Sequence, residues 1–200
     1  EHLWETTRCD ESTPKIRSLG EIVETLHRSV SGEHASPSGK YAIHRVRTVA
    51  PVEFSPLAPL RLHPYLLGAY LGDGSSDGSV IINKPEKDLL AKVASHLPIG
   101  DTAEMFGEGS ALRLRVRRVC RNNEPSETKQ ALFVLSLAGV GSLEKHIPAE
   151  YLFASIADRL ELLRGLCDTD GHVIHSGSRV EFGTSSQRLR DDVILLARSL

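Results

Sequence analysis

Apolar positions change their period several times along the 200-residue chain, and each change predicts an element. Leu19, Ile22, Val23 and Leu26 recur at helical spacing behind Ser18 and Glu21, a capping-box pair, and predict an amphipathic helix over 18–30. Residues 31–40, "SGEHASPSGK", read as a loop. A β-like stretch over 41–54 leads into 55–64, whose three prolines suit an extended linker, and a boundary falls near residue 60. From Tyr65 an apolar helix runs into "LGDG". A strand follows at 79–83, then a helix at 86–97 with Leu89, Leu90, Val93 and Leu97 on one face. Runs at 111–119 and 130–137 read as the two strands of a hairpin with a long polar connection. A helix over about 155–169, with Ser155 and Asp158 as its start signals, precedes the hairpin pattern "HVIHSGSRVEFGTS" and a closing helix in "SQRLRDDVILLARSL". The order of elements indicates an α+β fold.

One pattern occurs twice. "LLGAYLGDG" at 66–74 and "LRGLCDTDG" at 163–171 each set two small residues four positions apart, Gly68 with Gly72 and Gly165 with Thr169. Four residues is about one helical turn, so each helix has a side without bulk and the two can pack closely. Each helix then ends in an aspartate, Asp73 or Asp170, followed by a glycine suited to a left-handed C′ position, Gly74 or Gly171. Acids at a helix C-terminus sit at the negative pole of the dipole. If the helices pack in parallel, Asp73 and Asp170, 97 residues apart, converge, and two carboxylates together repel unless a cation lies between them. A divalent metal would resolve both problems.

Composition narrows the partners. With 40% hydrophobic and 25% charged residues the chain can bury a core, while a net charge of −2 and a pI near 6.5 leave any basic footprint to be local. That footprint is "LRLRVRRV": Leu112, Leu114 and Val116 alternate with Arg113, Arg115 and Arg117, one face for a core and the other for phosphates or guanine edges. An ordinary wet strand face fits the alternation too, but three arginines without an interleaved acid in a slightly acidic chain favour nucleic acid. Arg118 and Arg121 extend the patch, and Arg179 occupies the corresponding place after the second motif. The three cysteines, Cys9, Cys120 and Cys167, lack metal or redox spacing and suit a reducing, cytoplasmic setting. No apolar run approaches the roughly 18 residues of a membrane span and no signal peptide opens the chain. With Glu1 first and Met105 the single methionine, the expectation is a segment of a longer polypeptide. His172 and His175 lack ligand spacing, and an EF-hand fails because position twelve from Asp168 is Arg179. "CDTDG" also fits the nucleophile loop of haloacid dehalogenase-like phosphatases, which requires a buried strand before Asp168. The preceding charges fall at helical intervals instead.

The paired segments resemble the two motifs of LAGLIDADG (dodecapeptide, DOD-type) homing endonucleases of the kind embedded in inteins. "HPYLLGAYLGDGS" is similar to the first motif, "LEKHIPAEYL" to the lysine-bearing block, and "LLRGLCDTDGHV" with "VEFGTSSQRLRDDVILLARSL" to the second motif and its downstream hairpin and helix. Residues 1–40, including "HLWETT", resemble the segment joining an intein's splicing half to its endonuclease. The resemblance implies a pseudo-two-fold fold of two αββαββ halves, with residues 1–60 as splicing-domain flank and linker, 61–150 as the first half and 151–200 as the second. It also implies a double-strand break in DNA for intein homing, with Mg²⁺ or Mn²⁺ held by Asp73 and Asp170 beside Gly72 and Thr169, and Lys145 positioning water or stabilising charge. The helix interface would be Gly68, Gly72, Gly165 and Thr169, and the DNA-binding residues Arg113, Arg115, Arg117 and Arg179. The partners implied are double-stranded DNA and the host precursor in cis, with no membrane and a monomer acting as a pseudo-dimer. LAGLIDADG-type domains also serve as RNA maturases or as binding modules that no longer cleave. Both acids being Asp favours cleavage here. Only 29 residues follow Gly171, so the second half is expected to be incomplete, and without a splicing nucleophile or a terminal His-Asn pair the segment is not expected to splice alone.

Overall fold

The computed structural model describes residues 2–29, 40–55, 58–120, 124–174, 177 and 179–200, and the chain divides into two units, Glu1–Ala50 and Pro51–Leu200. In the first unit, strands β1 (Leu3–Arg8) and β2 (Lys15–Ser18) are followed by helix α1 (Leu19–Glu24), then β3 (His27–Ser29), β4 (Lys40–Ala42) and β5 (His44–Val46). β2, β1 and β5 form an antiparallel sheet in that order, and β3 pairs with β4. The expected capping box is present, with Ser18 accepting from the Glu21 amide and Glu21 reaching back to the Ser18 amide. The helix is shorter than its pattern predicts, because Thr25 donates to the Glu21 carbonyl and bonds His44, and 27–29 pair as a strand. Leu19 and Val23 remain 60% and 62% exposed. Of the loop expected at 31–40, residues 31–39 lie outside the described residues and Lys40 opens β4, and the β-like stretch shrinks to β4 and β5. What orders this unit is polar: Arg17 donates to the Thr6 carbonyl and hydroxyl and pairs with Glu11 at 2.5 Å. Hydrogen bonds from Lys15 and Arg17 hold the Glu11 carboxyl down to about 2.

The second unit runs α2 (Pro64–Asp73), β6 (Gly74–Ser75), β7 (Ile81–Asn83), α3 (Lys87–Ser95), β8 (Asp101–Phe106), β9 (Arg113–Arg118), α4 (Glu127–Val134), α5 (Ala149–Leu152), α6 (Ile156–Asp170), β10 (Gly171–Ile174), β11 (Arg179–Phe182) and α7 (Gln187–Arg198). Its four-stranded antiparallel sheet has the order β6-β7-β9-β8, and β10 pairs with β11. The architecture is α+β. A helix–strand–strand–helix order occurs twice, from α2 to α3 and from α6 to α7.

One expectation is corrected. The run at 130–137 is not the hairpin partner of β9: most of it belongs to α4, and β9 pairs with β8 instead. Ser126 caps α4 by accepting from the Lys129 amide, and Asp101 accepts from the amides of Glu127 and Thr128, so the helix start is fully paired. Thr128, Leu132 and Leu135 then reach the core at helical spacing, which a short apolar run does not distinguish from a strand.

The core gathers on α2, whose residues Tyr65–Leu71 are all buried, packed against the sheet, α3 and α6. A helix apolar on every side must sit inside a domain. Arg159 of α6 is fully buried and pairs with no carboxylate among the described residues. Its guanidinium donates to the carbonyls of Ala154, Ser199 and Val52 and lies 4.8 Å from the Phe54 ring, closing the C-terminal end of α7.

Candidate metal and nucleic-acid site

The two repeated motifs meet. A Cβ placed on Gly68 would overlap the Leu162 carbonyl oxygen and lie 2.9 Å from the Leu166 nitrogen; one on Gly165 would overlap the Tyr65 carbonyl oxygen and lie 2.9 Å from the Ala69 nitrogen. One turn further on, a Cβ on Gly72 would collide with the Thr169 hydroxyl. Both contacts join residues 97 apart, so α2 and α6 advance together and pack in parallel, backbone against backbone. No side chain larger than glycine fits at the Gly68–Gly165 crossing. This α2–α6 contact is the most extensive between any two elements.

Asp73 and Asp170 therefore leave the two helices side by side. Burial, and then the charge of Asp73, push the Asp170 carboxyl above the usual carboxylate range. Among the described residues nothing donates a hydrogen bond to the Asp170 carboxylate. Asp73 differs, forming an ion pair with Lys84 at 2.9 Å. Gly74 and Gly171 correct the expected left-handed cap: their φ values are −91° and −80°, ordinary extended backbone. They are small because a Cβ would strike the backbone one turn earlier, at Tyr70 and Cys167. Each glycine instead opens a strand directly, so the acid marks the point where helix becomes sheet.

Lys145 is only 6% exposed, which excludes a solvated lysine. Its ammonium donates to the carbonyls of Tyr70, Leu71, Gly72 and Gly74 at 3.1, 3.0, 3.0 and 2.9 Å, closing the C-terminus of α2 with a positive charge. Burial lowers its pKa, against the opposing pull of Asp170 and Asp73. Ser186, the cap of α7, donates to the Lys145 carbonyl, and Asp192 of α7 accepts from the Ile147 amide. The lysine-bearing segment is thus clamped between α7 and α2, with the Lys145 ammonium turned inward. Asp168 faces away from the acid pair. It accepts from the Tyr65 hydroxyl at 2.7 Å and from Lys92 at 3.1 Å, joining α6 to α2 and α3. Because α6 stays helical through Asp170, the strand a phosphatase nucleophile loop would need before Asp168 is missing.

No cluster of three or more His, Cys, Asp or Glu occurs among the described residues. A cation here would rest on two carboxylates, on backbone carbonyls such as those of Gly72 and Thr169, and on outside oxygen ligands. That donor set is all oxygen and incomplete, which suits Mg²⁺ or Mn²⁺ completed by water and phosphate. Asp170, partly buried and without a hydrogen-bond or ion-pair partner among the described residues, fits such an ion.

On β9, Leu114 and Val116 are buried and Arg113 and Arg117 are exposed, as the alternation predicts. The neighbouring strand supplies the acid that the sequence of β9 lacks. Glu104 of β8 lies opposite Arg115 and pairs with Arg117 at 2.5 Å and Arg115 at 3.5 Å. Asn83 lies opposite Arg113, so the outer face also carries a polar amide beside the acid site. Arg118 turns from the outer row toward Glu124 and the Pro125 carbonyl. Arg179 is exposed on β11 and pairs with Glu181 on its own strand. Arg121 and His175 lie outside the described residues.

Comparison with known proteins bears on this geometry. Residues 157–200 match the family model of the LAGLIDADG-like domain. The match covers α6 from its second residue through α7, so it contains Gly165, Thr169 and Asp170 and supports the LAGLIDADG family for this chain. The chain is also similar to a replicative DNA helicase DnaB of Mycobacterium intracellulare, 35% identical over 137 residues. That alignment covers 68% of this chain and 19% of the helicase, so the chain spans about a fifth of that relative. Among the described residues no helix is long and apolar enough to cross a membrane.

Proposed function

We propose that this chain is the nuclease part of an intein, a LAGLIDADG homing endonuclease that makes a metal-dependent double-strand break in DNA. The observation that carries the reading is the parallel crossing of α2 and α6, glycine backbone against glycine backbone, which sets Asp73 and Asp170 together at the edge of a sheet bearing Arg113, Arg115 and Arg117. A segment of nuclease type matching under a fifth of a chain named for a different activity is what an in-frame insertion gives, and this supports the intein context.

In this reading the outer face of the sheet meets the duplex. Arg115 and Arg117 exchange their pairings with Glu104 for phosphate or base-edge contacts, a small loss since exposed ion pairs are worth at most about 1 kcal/mol, and Arg113 joins them on the same face. Arg179 plays the same part on β11. Asp73 and Asp170, with the Gly72 and Thr169 carbonyls, would hold Mg²⁺ or Mn²⁺. Such an ion supplies charge neutralisation at the scissile phosphate, a more acidic water and stabilisation of the leaving oxygen. Lys145 acts through α2: it fixes the carbonyls beneath Asp73 and adds positive potential without contacting substrate. Double-stranded DNA and the host precursor in cis are the partners, in the cytoplasm, with one chain acting as a pseudo-dimer of two αββαββ halves.

The test is Mg²⁺-dependent cleavage of DNA carrying the uninterrupted host-gene site by the full-length parent protein. Asp73→Asn and Asp170→Asn should each lower the cleavage rate at least about 100-fold, the scale of losing electrostatic stabilisation at a reacting phosphate. Undiminished cleavage in both variants would sink the two-acid mechanism. A second reading, a DNA-binding module or maturase without cleavage, is favoured by the ion pair that already neutralises Asp73. Persistent DNA binding with no cleavage by the parent would select it.

A further inference from the structure

The two acids are not equivalent, and the reason lies one strand beyond each. In the first motif Gly74 pairs with Ile82, and in the second Gly171 pairs with Phe182, so the hairpins bring residues 84 and 184 to corresponding places. The helices that follow agree, with α3 capped at Glu86 and α7 at Ser186. The first position is Lys84, whose ammonium lies 2.9 Å from an Asp73 carboxylate oxygen. The second is Thr184, which carries no charge and donates no hydrogen bond to Asp170 among the described residues; its hydroxyl accepts from the Ser186 amide. The backbone differs in the same sense: the Gly72 carbonyl accepts from Lys145, whose charge faces both acids, while the Thr169 carbonyl has no side-chain partner among the described residues.

We propose that Lys84 is a tethered cation that competes with a divalent ion for Asp73, so that Asp170 and the Thr169 carbonyl are the primary metal ligands and Asp73 is recruited only when Lys84 withdraws. This rests on the reading of the acid pair as a metal site. Lys84 is a positioning residue here: it acts through Asp73, it sets the metal concentration the protein needs, and it keeps two carboxylates from repelling when no ion is bound. Its side chain is 21% exposed, so it has room to move to solvent or to an arriving phosphate.

The measurement is Mn²⁺ binding to the full chain without DNA, followed by the electron paramagnetic resonance signal of free Mn²⁺. Lys84→Gln should tighten Mn²⁺ by about three- to tenfold, the scale of removing one partly exposed competing ion pair, while Lys84→Arg stays near the native value. The mirror variant Thr184→Lys should weaken Mn²⁺ by a similar factor and needs no loss of any existing contact to Asp170. Equal Mn²⁺ affinity in Lys84→Gln and native protein, with binding still lost in Asp170→Asn, would overturn the role of Lys84 and leave the acid pair standing. Mn²⁺ binding indifferent to both Asp73→Asn and Asp170→Asn, or absent from every form, would overturn the metal site and the proposal with it.

Discussion

The C-termini of α2 and α6 are built from the same short pattern and stabilised in different ways. At α2 the last carbonyls receive the Lys145 ammonium, and the terminal acid, Asp73, has Lys84 as counter-ion. At α6 no cation reaches the last carbonyls among the described residues: Lys92 pairs with Asp168 on the far side, Thr169 bonds back to the Gly165 carbonyl, and Asp170 has no hydrogen-bond or ion-pair partner among the described residues. An acid at the negative end of a dipole is tolerated where cations offset it and is costly where they do not. The first end is therefore a stable support, and the second leaves Asp170 without a direct counter-ion, Lys84 and Lys145 acting on it only through space. A carboxylate without a direct counter-ion is what a site for a cation or a phosphate-bound ion would retain.

If that contrast holds, removing the charge of Lys145 should have the largest structural effect. Lys145→Met keeps the length and apolar stem but leaves three α2 carbonyls, and that of Gly74 just beyond the helix, facing an apolar side chain. The loss should be about 3 kcal/mol, from charged hydrogen bonds and orphaned buried acceptors. Thermal unfolding should show a decrease of roughly 6–12 °C for a domain of this size. A variant as stable as the native protein would mean that α2 does not depend on its cap.

Backbone contact comes next. At Gly68 an added methyl group meets the carbonyl oxygen and nitrogen of α6, which cannot rotate away, so Gly68→Ala must push the helices apart. Clashing with backbone puts the overpacking cost at about 3 kcal/mol, the upper end of its range, offset by about 1 kcal/mol through the better helix propensity of alanine. Gly72→Ala meets mainly the side chain of Thr169, so Thr169→Gly should recover much of its cost, whereas no side-chain change on α6 should rescue Gly68→Ala. Denaturant melts of the single and double variants separate the two cases. Equal rescue at both positions would show that the crossing is looser than its geometry.

Much of the paired-helix site was legible in the sequence, because it rests on local signals that repeat: small residues one turn apart, then Asp-Gly. The apolar face of β9 was equally plain. What the sequence hid was tertiary. Glu104 sits beside Arg115 only because β8 pairs with β9, and β8, "DTAEMF", has too little apolar alternation to mark itself as a strand. The helical state of 127–134 depends on Asp101 holding its first amides, 26 residues away. The Lys84–Asp73 pair is set by hairpin register, and Gly74 reads as a left-handed cap until the neighbouring Tyr70 shows that space, and not φ, selects it. Asp168, weighed in the sequence only against EF-hand and phosphatase patterns, is the staple to Tyr65 and Lys92.

The smallest effect is the most direct reading of the contrast. Because burial and Asp73 raise the Asp170 pKa, the unfolded chain ionises this group at lower pH than the folded chain does. Between those two values the folded state holds more protons, so stability falls as pH rises and is lowest, as far as this group is concerned, above the raised value. Asp170→Asn removes the titration. In EDTA it should leave stability unchanged or slightly raised near neutral pH and flatten this part of the pH profile, while Asp73→Asn, which breaks the pair with Lys84, should give no such gain. Adding Mg²⁺ should reverse the order, because an ion that binds only the folded state stabilises the native protein and not Asp170→Asn. Melting temperatures of the three proteins from pH 4 to 8, with EDTA and with Mg²⁺, test both halves of the statement. If Asp170→Asn lowers stability in EDTA, the carboxylate has a partner in solution and the end of α6 is compensated like that of α2.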